Sequence, residues 1–169
     1  MHIQAREHSA VGPAAEPLPA GGAALALEDR LTDRLGDVFG VAGPADELAL
    51  ARADRKTLGA MLVRQLSDRS RGETLLAPAD VYRVVPRRTW VRRKAEGELT
   101  GSEFDGLYRL VRLQLLATLV FDDARRADEW LHAPKARLGG AAPIDFAADA
   151  LGHEAVETWL HEIDQGFFA

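Results

Sequence analysis

Residues 100–121 read TGSEFDGLYRLVRLQLLATLVF, and this stretch decides the fold class. Thr100 followed by Glu103 is the pattern of a capping box, in which a hydroxyl and a carboxylate each accept a hydrogen bond from a backbone N–H at the start of a helix. A largely apolar face then recurs at steps of three and four, at Phe104, Leu107, Tyr108, Val111, Leu115, Thr118 and Leu119. The spacing predicts one long helix that presents this face to a core.

Helical spacing also dominates before this stretch. Apolar residues at steps of three and four predict helices over about 25–39 and 44–66, with Gly40 at the end of the first. Two short helices are expected on either side of Pro86, because proline lacks the N–H that a continuous helix needs. Residues 1–24, which are rich in alanine, glycine and proline, have little large apolar surface to bury and are expected to form a disordered tail.

Further helices are expected after the long one. Apolar spacing predicts them over 124–132, 143–151 and 153–164, with Gly152 ending the second and Gly166 ending the third. No segment shows a sustained alternation of apolar and polar residues, which is the pattern of a half-buried strand. The sequence therefore predicts an all-α fold.

Composition narrows the class of protein. The 169 residues include no cysteine, which excludes disulfide scaffolds, thiolate zinc sites and cysteine nucleophiles and suits the reducing cytoplasm. No run of about 18 apolar residues occurs, so no membrane-spanning helix is expected. The net charge of −5 argues against nonspecific binding of the whole molecule to nucleic acid or to an anionic membrane. We therefore expect a cytoplasmic globular protein.

The distribution of charge adds a local exception. Six basic residues and no acidic residue lie between Val81 and Lys94. Such local polarity is typical of a surface that contacts phosphates. The order of a short helix, a turn, a basic helix and a further helix is also that of a helix-turn-helix, whose second helix enters the DNA major groove. The candidate DNA-binding residues are Arg83, Arg87, Arg88, Thr89, Arg92 and Arg93.

Two neighbouring apolar residues, Trp90 and Val91, are expected to anchor this basic helix to the core. The alternative interpretation of the basic residues does not involve DNA binding. A basic run of this length is also found on the solvated face of an ordinary bundle helix, where it has no partner.

Three residues on the last predicted helix suggest a second kind of site. His153, Glu157 and His161 follow one another at intervals of four, so one helix face presents all three, and imidazole and carboxylate groups are zinc ligands. The alternative is an ordinary helix face with pairs at this spacing. Motifs for phosphate cradling, dinucleotide binding and a nucleophile elbow are absent from the sequence, so we expect no enzymatic activity, no cofactor and no metal.

The last 50 residues resemble a known domain. The features that carry the resemblance include Val120-Phe121, Trp130-Leu131, Leu138-Gly139-Gly140 followed by Pro143, and the ending Gly166-Phe167-Phe168-Ala169. Together they are similar to the toxin-binding domain of the Xre/MbcA/ParS-like antitoxins. The preceding VVPRRTWVRRKAEGELTGSEFDGLYRLVRL resembles the Xre-type helix-turn-helix of the same family. The resemblance extends from about residue 75 to residue 169.

The resemblance implies a type II antitoxin of a RES-Xre toxin-antitoxin system. Such a protein binds and neutralises a RES-domain toxin that degrades NAD, and as a homodimer or larger complex it represses its own operon by binding promoter DNA. The implied organisation is a tail over 1–24, an Xre-like DNA-binding and dimerisation part over 25–119 and a toxin-binding domain over 120–169. The alternatives are a helix-turn-helix transcription regulator without a toxin partner, and a metal-dependent enzyme that uses His153 and His161.

The end of the chain is the expected toxin-binding segment. Phe167 and Phe168 follow a helix-ending glycine, and such a pair either folds back on the core or inserts into a partner. Burial of one phenylalanine is worth about 1.5–3 kcal/mol, which is enough to anchor the segment in a pocket. Nearby carboxylates are expected to mimic part of an anionic dinucleotide in the toxin's active site. The candidate toxin-binding residues are Glu162, Asp164, Gly166, Phe167, Phe168 and Ala169.

Overall fold

The computed structural model describes residues 20–40, 54–68 and 75–167. Within these ranges every regular element is helical, which confirms the predicted all-α class. The α-helices are α1 (Ala20–Phe39), α2 (Arg55–Ser67), α3 (Pro78–Val84), α4 (Arg87–Glu96), α5 (Gly101–Phe121), α6 (Ala124–His132), α7 (Pro143–Phe146) and α8 (Ala150–Asp164). One 3₁₀ turn, Ala136–Leu138, lies between α6 and α7.

The first helix begins at Ala20, ahead of the predicted start at residue 25. Several sequence-based expectations lie outside the described residues: the tail over 1–19, the helix start near residue 44, and the placement of Phe168 and Ala169. No helix in the part of the chain that the structure describes is both long enough and apolar enough to cross a lipid bilayer.

The long helix α5 is the centre of the molecule. Its predicted capping box is confirmed, since the Thr100 hydroxyl accepts from the Glu103 N–H at 3.3 Å and the Glu103 carboxylate accepts from the Thr100 N–H at 2.8 Å. The single apolar face predicted from spacing was too narrow. Helices α1, α3, α6 and α8 all pack against α5 and bury residues on several of its sides. The additional fully or almost fully buried residues are Leu110, Leu113, Leu116 and Ala117.

Two glycines allow helices to approach one another closely. A Cβ atom on Gly106 would lie 2.6 Å from Cγ1 of Val84, so α3 rests directly on the backbone of α5. Gly152 was expected to end a helix, and this expectation was wrong. It lies in the first turn of α8, where Asp149 accepts a hydrogen bond from its N–H at 2.8 Å. A Cβ there would lie 1.9 Å from the carbonyl oxygen of Phe146, so α7 and α8 meet backbone to backbone.

The chain reverses sharply between α5 and α6. Asp122 ends α5 in the left-handed backbone conformation, with φ of 50°, and Asp123 accepts a hydrogen bond from the Arg126 N–H at 2.8 Å as the cap of α6. Aspartate is one of the few residues that tolerates the left-handed region, and it is a preferred N-cap. The turn therefore needs no glycine, and it folds α6 back onto α5 at the start of the carboxyl-terminal domain.

Candidate functional site

The predicted basic helix is α4, and its neighbours keep the predicted order. Val85 and Pro86 connect α3 to α4, which is shorter than the three to four residues usual in a helix-turn-helix. Trp90 is 5% exposed and anchors α4 to the core, as expected. The expectation for Val91 was wrong, since this side chain is 59% exposed. Trp90 therefore contacts the core, and Val91 faces solvent.

Two of the predicted DNA-binding residues are held by carboxylates of this chain. Arg83 donates from Nε to Asp80 at 2.9 Å and from Nη1 to Asp145. Arg93, whose side chain is only 16% exposed, lies 2.8 Å from the Glu103 carboxylate through its Nε. Both guanidinium groups therefore have partners inside the molecule, and a DNA phosphate would have to compete with them.

The remaining predicted DNA-binding residues are more accessible. Arg87 and Arg88 are exposed, and the structure gives neither of them an ion pair with a carboxylate of the described residues. Arg92 is also exposed and lies 3.6 Å from Glu96, a long ion pair. Thr89 is partly buried beside these residues. We call Arg87, Arg88 and Arg92 the basic face of α4.

The end of α8 directs the following segment outwards. Gly166 adopts a left-handed φ of 81°, and the Phe167 N–H donates to the Glu162 carbonyl at 2.8 Å. This glycine-ended cap closes the last helical turn and points the chain away from it. Phe167 is 60% exposed as a result. The ring is therefore accessible to a partner protein.

The two predicted acidic residues of this segment differ in their surroundings. Asp164 is exposed on the last turn of α8. The Glu162 carboxylate accepts a hydrogen bond from Arg137 Nη1 at 2.6 Å, and this bond holds the pKa of Glu162 below its ordinary value. Glu162 is therefore negatively charged in the free protein, but part of its charge is balanced by Arg137.

An aromatic cluster supports this end of α8, and sequence reasoning did not anticipate its contacts. The rings of Trp130 and Trp159 meet edge to face at a centroid distance of 5.0 Å, and Phe121 lies 5.6 Å from Trp130. The guanidinium of Arg137 lies 5.0 Å above the Trp159 ring. Such cation–π contacts contribute roughly 0.5–1 kcal/mol at exposed sites. The cluster joins α5, α6 and α8.

The candidate zinc ligands on α8 instead take part in an ion-pair network centred on Arg112. This arginine donates to Glu157 at 2.7 Å and to Glu28 at 3.1 Å. His153 Nε2 lies 3.3 Å from the Glu157 carboxylate, and His161 Nε2 lies 2.8 Å from the Glu28 carboxylate. A guanidinium cation thus already occupies the carboxylates that a metal would need. This arrangement does not fit a metal centre.

The opposite charges in this network shift the pKa values of Arg112 and Glu157. Burial disfavours the charged form of Arg112, but the adjacent carboxylates of Glu157 and Glu28 outweigh it and raise the pKa of Arg112 further. Burial raises the pKa of Glu157, but the hydrogen bond from His153 and the charge of Arg112 leave that pKa below its ordinary value. Arg112 and Glu157 are therefore held charged, and Arg112 bridges α1, α5 and α8 through its contacts with Glu28 and Glu157.

A second cross-link joins α3 to the carboxyl-terminal helices. The buried carboxylate of Asp80 lies 3.0 Å from Nε2 of His132, while Nδ1 of His132 lies 2.8 Å from the Asp128 carbonyl oxygen. Ligand atoms of Asp80, Asp128 and His132 lie within 4.8 Å of one another, yet the two aspartates contact opposite nitrogens of the ring and Asp80 also accepts from Arg83. We call Asp80, Arg83, His132 and Asp145 the latch.

Two comparisons with known proteins bear on the carboxyl-terminal part. Residues 116–166 match the family model for the antitoxin Xre/MbcA/ParS C-terminal toxin-binding domain. The chain is also 32% identical over 94 residues to the Antitoxin Xre of Pseudomonas putida strain KT2440. The matched residues make up 55% of this chain and 59% of that relative, so less than two thirds of the relative is covered.

The family match coincides with a structural unit. It begins in the last turns of α5 and ends at Gly166, and it includes the aromatic cluster and the exit of the segment that carries Phe167. The resemblance inferred from the sequence is thereby confirmed. Residues 116–166 of this chain are therefore similar to the toxin-binding domain of the Xre/MbcA/ParS antitoxins.

Proposed function

We propose that the chain is an antitoxin that binds a toxin protein and blocks its active site with the segment following α8. The observation that carries this proposal is the 60% exposure of Phe167, beyond the left-handed Gly166, at the end of a domain of the toxin-binding family. Burying one phenylalanine is worth about 1.5–3 kcal/mol, so a toxin pocket that receives this ring gains an anchor.

The proposed partner is a RES-domain toxin that degrades NAD. A pocket that binds the pyrophosphate of NAD needs cationic or hydrogen-bond-donating groups, because the ligand is an anion. Asp164 and Glu162 bring negative charge to the same end of α8 as the exposed ring. An aromatic side chain beside carboxylates thus offers the two features, a flat ring and an anion, that such a pocket accepts.

The proposal is tested by copurification from the chain's own host, followed by a neutralisation assay. We expect the full chain to hold a RES-domain protein in a stable complex and to restore growth and NAD levels in cells that express that protein. Removal of residues 166–169 should abolish protection, while circular dichroism shows an unchanged helix content. Full protection by the truncated chain would contradict active-site blocking.

A matched control separates a specific anchor from a general loss of apolar surface. Leu151 is 80% exposed at the first turn of the same helix α8. Leu151→Ala should leave both copurification and protection unchanged. If the full chain retains no toxin from its host and protects no cell, the antitoxin function itself is wrong.

We further propose that the protein is a cytoplasmic homodimer that represses its own promoter through the basic face of α4. The support is that Arg87, Arg88 and Arg92 are exposed on one short helix while the rest of the chain is acidic on balance. Repression with no toxin in the complex would favour the other candidate, a transcription regulator without a toxin partner. Copurification distinguishes the two.

A further inference from the structure

The outward face of α4 carries an apolar strip between two sets of arginines. Val91 and Ala95 are one turn apart and both exposed, with Val91 at 59%. At 3.6 residues per turn, Arg87 lies on one side of this strip, and Arg88 and Arg92 lie on the other. Trp90 lies on the inward side of the helix.

Packing within the protein does not explain why an apolar residue, Val91, occupies this exposed position. The inward face of α4 is anchored by Trp90, and the salt bridges of Arg93 complete it. A β-branched residue also loses side-chain freedom in a helix, so an exposed valine adds nothing to the stability of α4 itself. Val91 is therefore accessible for a contact outside the chain.

The charges around the strip identify the partner. Cationic side chains lie on both sides of the strip, and this charge favours a polyanion as the partner. The DNA major groove admits an α-helix between two phosphate backbones, and thymine presents its C5-methyl group on the groove floor. Small apolar side chains on a recognition helix contact that methyl group.

We propose that Val91, assisted by Ala95, reads thymine methyl groups in the major groove and so determines the sequence preference of this protein. This inference rests on the DNA-binding half of the proposed function. Arg87, Arg88 and Arg92 supply affinity through phosphates or guanine edges, and Val91 supplies selection between thymine and the other bases.

The experiment uses duplex DNA from directly upstream of the chain's own gene, prepared with thymine or with uracil, which lacks only the C5-methyl group. We expect the full chain to bind the uracil duplex more weakly, by about fourfold for each contacted methyl. Val91→Ala should bind the thymine duplex about fourfold more weakly and should no longer distinguish thymine from uracil. Uracil interference should locate the contacted positions, and Val91→Thr, which keeps one methyl, should retain part of the discrimination.

Each outcome separates this inference from the function on which it rests. Leu151→Ala is the control and should discriminate between the two duplexes as the unaltered chain does. Equal binding of the unaltered chain to both duplexes overturns the role of Val91 but leaves DNA binding intact. Binding to neither duplex overturns DNA binding as well. A Val91→Ala chain that keeps its discrimination but changes its sedimentation coefficient would show that the strip is a contact between copies of the chain.

Discussion

Gly152 has no side chain because the carbonyl oxygen of Phe146 occupies the position that a Cβ atom would take, only 1.9 Å away. The same physical constraint applies at Gly106, where a methyl group would meet Val84 at 2.6 Å. Neither glycine has a left-handed φ, so conformational freedom is not the reason for it. At the residue scale, these two positions determine how closely neighbouring helices approach.

Replacement of Gly152 by alanine tests the close approach of α7 and α8. Gly152→Ala should lower the free energy of unfolding by about 1–3 kcal/mol, because α7 and α8 must separate to admit the methyl group. Urea unfolding followed by circular dichroism measures the change. Gly101→Ala is the matched control, since nothing lies within 4 Å of its Cβ position, and should cause no loss. An equal loss in both variants would show that the contact with Phe146 is unimportant.

At the scale of elements, side chains from distant parts of the chain hold the helices in place. Arg112 on α5 bridges Glu28 on α1 and Glu157 on α8, and its side chain is only 13% exposed. The latch joins α3 to α6 and α7 in the same manner. These bridges orient the surfaces that we propose for DNA and for the toxin.

Loss of Arg112, the cation at the centre of the network, should strongly lower the free energy of unfolding. Arg112→Ala leaves two carboxylates partly buried without their partner, and breaking a buried pair on one side typically lowers the free energy of unfolding by about 3–5 kcal/mol. Arg125→Ala removes an exposed ion pair with Glu129 and should lower it by less than about 1 kcal/mol. Chemical unfolding of both variants is the measurement. A loss at Arg112 no larger than that at Arg125 would contradict the bridging role.

The latch should make stability depend on pH. Burial lowers the pKa of His132, but the hydrogen bonds and charges of Asp80 and Asp128 outweigh burial and raise the pKa above the ordinary value of 6.5. Protonated His132 therefore contributes fully to the free energy of unfolding below about pH 6.5. This contribution is lost as the pH rises through the raised pKa of His132 in the folded protein. We expect the unfolding free energy of the unaltered chain to fall over this interval relative to His132→Gln. Parallel pH curves for the two proteins would exclude this contribution.

At the scale of the whole molecule, the proposed DNA and toxin surfaces lie on different helices, α4 and the end of α8. A change to one surface should therefore spare the other. Arg83 differs from the basic face of α4 because it belongs to the latch and bonds to Asp80 and Asp145. Basic residues that are neighbours in sequence thus have different roles in the folded protein.

Variants of the basic residues should separate the two activities. Arg88→Ala together with Arg92→Ala should weaken promoter binding and reduce the slope of log affinity against log salt by about 0.9 for each lost phosphate contact. Toxin binding should stay unchanged. Arg83→Ala should instead lower stability, measured by unfolding, because the latch is broken. Loss of both activities in the double variant, with normal helix content, would contradict separate surfaces.

The sequence by itself determined the features that depend on short range. The all-α class, the start of α5 at its capping box and the similarity of the carboxyl-terminal part to a toxin-binding domain follow from local spacing, caps and motifs. These features are predictable because a helix and its cap are formed by residues within a few positions of one another.

Only the tertiary structure decided which charged side chains are paired within the protein and which are available to contact a partner. Arg83 meets Asp145 across 62 positions of sequence, and His132 meets Asp80 across 52. The packing of the helices also places His161 beside Glu28 of α1, so this candidate metal ligand contacts a carboxylate of another helix. Spacing fixes the face of a helix on which a residue lies, but the partner on the opposing helix depends on how the helices pack, because Coulomb attraction and hydrogen bonding act over a few ångströms of space and not along the chain.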